Sequence, residues 1–175
     1  MKTPSILAIL VLTASIASSA VAQPKSDWER EQEERDWQEA QIKLPAFPRA
    51  DALIEFFVSA ASRFRFFIDP ASISVGTDGV VRYTLVARSL SGAENVSYEG
   101  IRCKDGTYKV YALGQGATWS RALSDWKRIE PHGALRWHQA LQREYFCPFK
   151  FQVSTAAEAV EYLRRGGHPE LRRND

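Results

Sequence analysis

The sequence predicts an α+β protein: an antiparallel β-meander sheet of five or six strands, packed with C-terminal helices and carrying one disulfide. Three observations lead to this prediction. Residues 79–113 alternate between apolar and polar positions across short polar turns, which is typical of consecutive antiparallel strands. Large apolar residues recur at helical spacing after Gly133. Only two cysteines occur, Cys103 and Cys147, and in an exported protein two cysteines most simply form one disulfide.

Composition indicates a single globular domain. The chain has 175 residues, of which 45% are hydrophobic and 25% are charged, enough for one sizeable core. A formal net charge of +2 is too small to indicate a nucleic-acid partner. The sequence predicts four segments: a signal peptide (1–22), a charged leader with a proline linker (23–52), a single α+β domain (53–167) and a flexible tail (168–175).

The first residues follow the pattern of a secretory signal. Lys2 is basic, residues 6–16 are apolar, and small residues end in Ala-Val-Ala before Gln23. We therefore expect export with cleavage after Ala22, and no transmembrane anchor in the mature protein. The alternative is an uncleaved anchor, which the short apolar run disfavours.

The segment before the sheet is polar and then extended. Residues 25–43 are rich in Glu, Gln and Arg, and form either a solvated helix or a disordered leader. The prolines within residues 44–48 predict an extended linker. Three short strands follow, at residues 53–58, 63–68 and 73–75. A turn at Asp69-Pro70 separates the second from the third.

Within the meander, the apolar phase changes along one strand. Val96 and Tyr98 are in one phase, whereas Ile101 and Cys103 are in the other. Gly100 is either the site of a β-bulge that shifts the phase or a weak point of the strand.

The next turn sets a predicted register. Asp105-Gly106 suits a two-residue type I′ turn. Such a turn would place Cys103 opposite Tyr108, and Ile101 opposite Val110.

Two helices are predicted after the sheet. The first covers residues 133–146, with Trp137, Leu141 and Tyr145 on one face, and Cys147-Pro148 ends it. The second begins at Thr155, which forms a capping-box pattern with Glu158, and it stops at Gly166-Gly167.

No catalytic or metal-binding motif stands out. His132, His138 and His168 match no metal or triad spacing and are expected at the surface or at a helix edge. No metal and no cofactor are expected. Glu99, beside the presumed bulge, is the one candidate acid, although a structural role fits it as well. A possible ligand or contact face on the sheet consists of Arg82, Tyr98, Glu99, Arg102 and Tyr111.

The run IDPASISVGTDGVVRYTLVARSLSGAENVSYEGIRC, the later YKVYALG, and Trp119 and Trp126 together resemble the cryptic neisserial protein-like domain family of exported bacterial proteins. The resemblance covers about residues 53–129. It implies a proteobacterial cell envelope, and hence a periplasmic location. The family has no assigned reaction, so the resemblance transfers no catalytic residue.

These observations favour a non-enzymatic binding or interaction module of the cell envelope, whose partner is an unknown envelope protein or glycan. The alternative is a soluble hydrolase of an envelope polymer that uses carboxylates near Glu99. A deep cleft containing an acid of raised pKa would favour the enzyme, and an aromatic face would favour binding.

Overall fold

The computed structural model describes residues 26–131 and 136–172. The predicted signal peptide, with its cleavage site after Ala22, lies outside the described residues and stays a prediction. The chain divides into two compact units between Trp37 and Gln38.

The first unit contains one described helix, α1 (Asp27–Arg35). Its N-cap is Ser26, whose hydroxyl accepts the Glu29 N–H, while the Glu29 carboxylate accepts the Ser26 N–H. Of the two alternatives for the leader, these residues therefore adopt the helix.

An antiparallel sheet forms the body of the second unit. Among its described residues the strands are β1 (Ile54–Phe56), β2 (Phe64–Val75), β3 (Val80–Ser89), β4 (Glu94–Arg102), β5 (Thr107–Gln115), β6 (Thr118–Arg121) and β7 (Lys127–Arg128). Strands β1 to β6 are neighbours in chain order, and β7 pairs with β5. The predicted meander is confirmed, and β6 and β7 extend it beyond the predicted strands.

The predicted turn at Asp69-Pro70 is wrong, because β2 continues through it. The register between β2 and β3 shifts between Asp69 and Ser74. Local hydrogen bonds satisfy the polar groups of this irregular stretch: the Asp69 carboxylate accepts the Ala71 N–H, and the Ser72 hydroxyl donates to the Asp69 carbonyl while accepting the Thr84 N–H. The two predicted strands are therefore one long strand with a bulge.

The predicted register of β4 and β5 is also wrong. Ile101 pairs with Tyr108, so the connection contains four residues, 103–106, rather than two. Strand β4 pairs regularly with β3, and the bulge lies on β5, where Tyr111 is the extra residue. The apolar phase of β4 changes because both of its faces are buried, and not because Gly100 bulges.

Gly100 is instead required by a close approach from Tyr111. A Cβ atom at Gly100 would lie 2.7 Å from the Tyr111 hydroxyl oxygen and 2.9 Å from Val80 Cγ1. We expect Gly100→Ala to lower the free energy of unfolding by about 1–3 kcal/mol, the usual range for an overpacked site. Urea unfolding measures this loss. In a Tyr111→Ala background the same substitution should have a smaller effect, and an equal effect there would contradict the explanation.

The C-terminal helices follow the sheet. The described ones are α2 (Arg136–Ala140), a π-helical turn (Leu141–Phe146), a 3-10 turn (Pro148–Lys150), α3 (Ala156–Arg165) and α4 (Pro169–Arg172). Thr155 caps α3 by accepting the Glu158 N–H, and Gly166 ends it at φ 75°. Both predicted helices are confirmed over their described residues. No helix in the described ranges is long and apolar enough to span a bilayer.

The predicted tail begins with a contact to the helices. The His168 N–H donates to the Glu144 carbonyl at 2.8 Å, and α4 follows. The flexibility of residues 168–175 stays a prediction.

The helices pack on one face of the sheet, here called the inner face. Tyr83 of β3 contacts Phe146, and Phe56 of β1 contacts Tyr145, with ring centroids 5.1 and 5.6 Å apart. Cys103 and Cys147 form the predicted disulfide, with an S–S distance of 2.07 Å and both residues buried. The opposite face, here called the outer face, bears Arg82, and the candidate sites lie on these two faces.

Candidate functional site

Three residues of the predicted contact face meet on the outer face. Arg82 lies over the Tyr111 ring at 5.6 Å, and the Tyr98 and Tyr111 ring centroids are 5.7 Å apart. Arg102 sits at the end of β4, where it pairs with Asp105 at 3.0 Å. The exposed fractions of Arg82, Tyr98 and Tyr111 are only 3–5%. That these residues contact a ligand stays a prediction.

A strap of the leader covers these side chains. The strap consists of residues 38–47, which run across the outer face. Its Glu39 accepts a hydrogen bond from the Tyr111 hydroxyl at 2.6 Å and one from Lys109 at 2.8 Å. Farther along, the Pro45 carbonyl accepts the Trp119 indole N–H at 2.9 Å. The leader therefore contributes to the outer face through Glu39 and Pro45, two contacts that the sequence did not indicate.

A buried ion pair anchors the start of the strap. Arg82 lies 2.5 Å from Asp78, whose carboxylate also accepts the Ala40 N–H at 2.9 Å. Burial alone would raise the pKa of Asp78, but the hydrogen bonds from Arg82 and Ala40 outweigh it and lower the pKa below its ordinary value. Burial and the neighbouring Glu39 carboxylate raise the pKa of Tyr111 well above its ordinary value, so Tyr111 remains a neutral hydrogen-bond donor.

Beside the strap lies a cleft of about 680 Å³, here called the outer cleft. Its polar lining side chains are Glu39, Gln41, Lys109, Tyr111, Arg121, Ser124 and Asp125. Trp126 lies next to it, with its ring centroid 6.4 Å from that of Tyr111 and 5.9 Å from the Lys109 ammonium. The outer cleft thus combines charges of both signs with hydroxyl groups, and the Tyr111 and Trp126 rings pack at its edge. Of its lining residues, the sequence had indicated only Tyr111.

Glu99 lies on the inner face, apart from the other predicted contact residues. Its carboxylate is 2.8 Å from His138 Nε2, and it accepts hydrogen bonds from the Tyr83 hydroxyl at 3.0 Å and the Ser97 hydroxyl at 2.6 Å. Glu99 is 3% exposed and His138 is 1% exposed. The His138 ring also stacks on Tyr108, with centroids 3.7 Å apart. The prediction that His138 lies at the surface or a helix edge is therefore wrong.

The neighbours of Glu99 keep it ionised. Burial would raise its pKa, but the hydrogen bond and charge of His138, with the hydroxyls of Ser97 and Tyr83, lower the pKa below its ordinary value. For Tyr83, burial and the Glu99 charge raise the pKa well above its ordinary value. Glu99 therefore acts as a buried hydrogen-bond acceptor. A general acid would require the opposite shift.

Two sequence signals point to this pair. His138 shares a helix face with Leu141 and Tyr145 through spacings of three and seven residues. Glu99 shares its side of β4 with Ile101, both being paired with core residues of β3. Each signal places its residue in the core, but neither says that the two residues meet there.

No group of three or more His, Cys, Asp or Glu side chains in the described part of the chain is arranged to hold a metal ion.

Comparisons with known proteins cover the residues of the outer cleft and of the Glu99–His138 pair. The CNP1-like family matches residues 32–164. Cryptic neisserial protein 1 of Neisseria gonorrhoeae is 26% identical over 199 aligned positions, which cover 95% of this chain and 97% of that protein. No solved structure matches this chain. The matched residues include the outer cleft and the Glu99–His138 pair.

Proposed function

The chain belongs to the CNP1-like family, and we propose that it is a non-enzymatic binding module of the bacterial cell envelope that holds its ligand in the outer cleft. Export to the periplasm is part of the proposal, supported by the signal-peptide pattern of residues 1–22. The observation that carries the binding role is the polar lining of the outer cleft beside packed aromatic rings.

Fixed contacts pre-form one wall of the outer cleft. Glu39 bonds to Lys109 and Tyr111, and the next residue of the strap donates its N–H to Asp78. A pre-formed site loses less conformational entropy on binding than one that orders with its ligand. Arg121 and Asp125 also line the cleft, where they offer a donor group and an acceptor group.

This chemistry favours an envelope glycan as the ligand. A glycan presents many hydroxyl groups that both donate and accept hydrogen bonds, which matches a lining of both charge signs. The half-buried Trp126 ring beside the cleft can cover one of its less polar faces.

The geometry at Glu99 favours binding over hydrolysis. A glycosidase needs a protonated carboxylic acid that touches the glycosidic oxygen. Glu99 is buried on the inner face, and its lowered pKa keeps it deprotonated. Glu99 therefore lacks the properties that the hydrolase alternative requires of it.

Co-sedimentation of the mature protein with insoluble envelope glycan tests this function. We expect Arg121→Ala to weaken binding about tenfold, the usual effect of losing a hydrogen bond from a charged group. Arg63→Ala is the matched control, because Arg63 is exposed and lies beside β2, away from the outer cleft. Equal binding by both variants would contradict the cleft as the site. Release of soluble fragments from the glycan would instead support the hydrolase.

A further inference from the structure

A second, smaller pocket lies beside the disulfide. It has a volume of about 200 Å³, and its walls are the connection 103–106, the strand β7 with Ile129, and the side chains of Gln142 and Lys150. Since a water molecule occupies about 30 Å³ in the liquid, the pocket has room for a small anionic group with a few waters. We call it the basic pocket.

Cations dominate the basic pocket. Lys104, Arg128 and Lys150 line it, together with one acidic residue, Asp105. The Asp105 carboxylate already accepts hydrogen bonds from Arg102 at 3.0 Å and from the Thr107 hydroxyl at 2.9 Å. The lining therefore carries three positive charges against one negative charge, which suits a ligand with strong anionic acceptors.

Covalent and hydrogen-bonded contacts hold the walls together. The Cys103–Cys147 disulfide joins the 103–106 connection to the chain segment that carries Lys150. The Ile129 N–H donates to the Gly106 carbonyl at 2.9 Å. Gln142 lies so close to Gly106 that a Cβ atom there would be 2.7 Å from the amide nitrogen. The pocket is therefore a fixed feature of the fold.

An apolar element adjoins the pocket at Lys150. The two chain neighbours of Lys150, Phe149 and Phe151, are 56% and 77% exposed. Phe149 and Lys150 have positive φ values of 54° and 69°, which side-chain-bearing residues rarely adopt. Such strain persists where the surrounding structure enforces it, often at binding sites. Exposed phenylalanines beside a basic pocket match a ligand that is anionic at one end and apolar at the other.

We propose that the basic pocket binds the phosphate group of an anionic phospholipid at a membrane surface, with Phe149 and Phe151 contacting the adjoining acyl region. The Lys and Arg side chains donate charge-assisted hydrogen bonds to the phosphate oxygens. This site is separate from the outer cleft, so the proposal does not depend on the proposed glycan binding.

Flotation of the disulfide-intact mature protein with vesicles tests this site. We expect binding to phosphatidylglycerol vesicles and little binding to phosphatidylcholine vesicles. Arg128→Gln and Lys150→Gln should each weaken binding about fivefold, the usual contribution of one basic residue at an anionic surface. Phe151→Ser should weaken it about tenfold, since an exposed ring would no longer be buried in the lipid. Thermal melting of each variant verifies that it remains folded.

Arg63→Gln is the matched control, because it removes the same charge at the other end of the sheet. Arg63 precedes Phe64, which pairs with Ser89, whereas the basic pocket lies beyond the Val80–Arg102 pair. An equal loss of binding in this control would overturn the site by showing that only net charge matters. Equal binding to both lipids would also overturn it. A third outcome would also overturn the proposal: inorganic phosphate shifts the NMR signals of Lys150, but the protein binds no vesicles. The ligand of the pocket would then be a free anion and not a lipid.

Discussion

Replacing Cys103 and Cys147 together by alanine is expected to lower the free energy of unfolding by about 4 kcal/mol. The disulfide closes a loop with a sequence separation of 44, and the chain-entropy relation assigns a loop of this size about that stabilisation. Both cysteines are buried, at 4% and 3% exposure, and they join the sheet to the helical segment. For a domain whose net stability is about 5–15 kcal/mol, the loss is large.

Urea unfolding of the oxidised protein and the double alanine variant measures this difference. Addition of a reductant supplies the control, because it should weaken the wild-type protein to a similar extent and leave the variant unchanged. A difference below about 1 kcal/mol would show that the unfolded chain is already restricted without the bond.

The second large effect is expected at the Glu99–His138 pair. His138→Ala should lower the free energy of unfolding by about 3–5 kcal/mol, because it leaves the buried Glu99 carboxylate without its hydrogen bond to His138. The hydroxyls of Tyr83 and Ser97 would remain its described hydrogen-bond partners. Tyr83→Phe removes only one neutral donor and should have a smaller effect, about 1–3 kcal/mol.

A double-variant cycle separates the Glu99–His138 interaction from simple packing. Glu99→Leu combined with His138→Leu replaces both polar groups by apolar ones, and we expect it to be more stable than His138→Leu alone. Urea unfolding of the single and double variants gives the coupling energy. Strictly additive losses would mean that the two groups act independently, contrary to their 2.8 Å contact.

The pH dependence of stability follows from the direction of the Glu99 shift. Its pKa in the folded protein is lower than the ordinary value of 4.5, so the unfolded chain binds more protons than the folded chain as the pH falls. The stabilisation by Glu99 is therefore fully present above about pH 4.5 and is lost as the pH falls through the folded-state pKa. The double leucine variant should show a shallower acid loss, measured by urea unfolding across this range.

Local patterns were sufficient where neighbouring residues decide the structure. The helical spacing of Trp137, Leu141 and Tyr145 predicted the helical segment, and Thr155 predicted the start of α3. Asp105-Gly106 predicted a turn, but the turn has two more residues than expected because the pairing of Ile101 with Tyr108 sets the register. At Asp69-Pro70, hydrogen bonds from neighbouring residues and from β3 keep the chain extended where the dipeptide alone indicated a reversal.

The candidate sites depended on contacts that no local pattern contains. Glu39 reaches Lys109 across 70 residues, and His138 reaches Glu99 across 39. Alternation along a strand reports whether a side chain is buried, but it does not report which distant group lies against it. For the same reason the predicted contact face was divided, with Arg82 under the strap and Glu99 on the opposite side of the sheet.

By itself, the sequence determined the antiparallel meander, the helices that follow it and the disulfide between its only two cysteines, because periodicity, turn residues and cysteine count are properties of the chain alone. The tertiary structure alone decided that Glu99 is ionised in the core, that the leader covers the outer face, and that three cations from separate segments line one pocket. Charge state and accessibility arise from groups that meet only when the chain is folded.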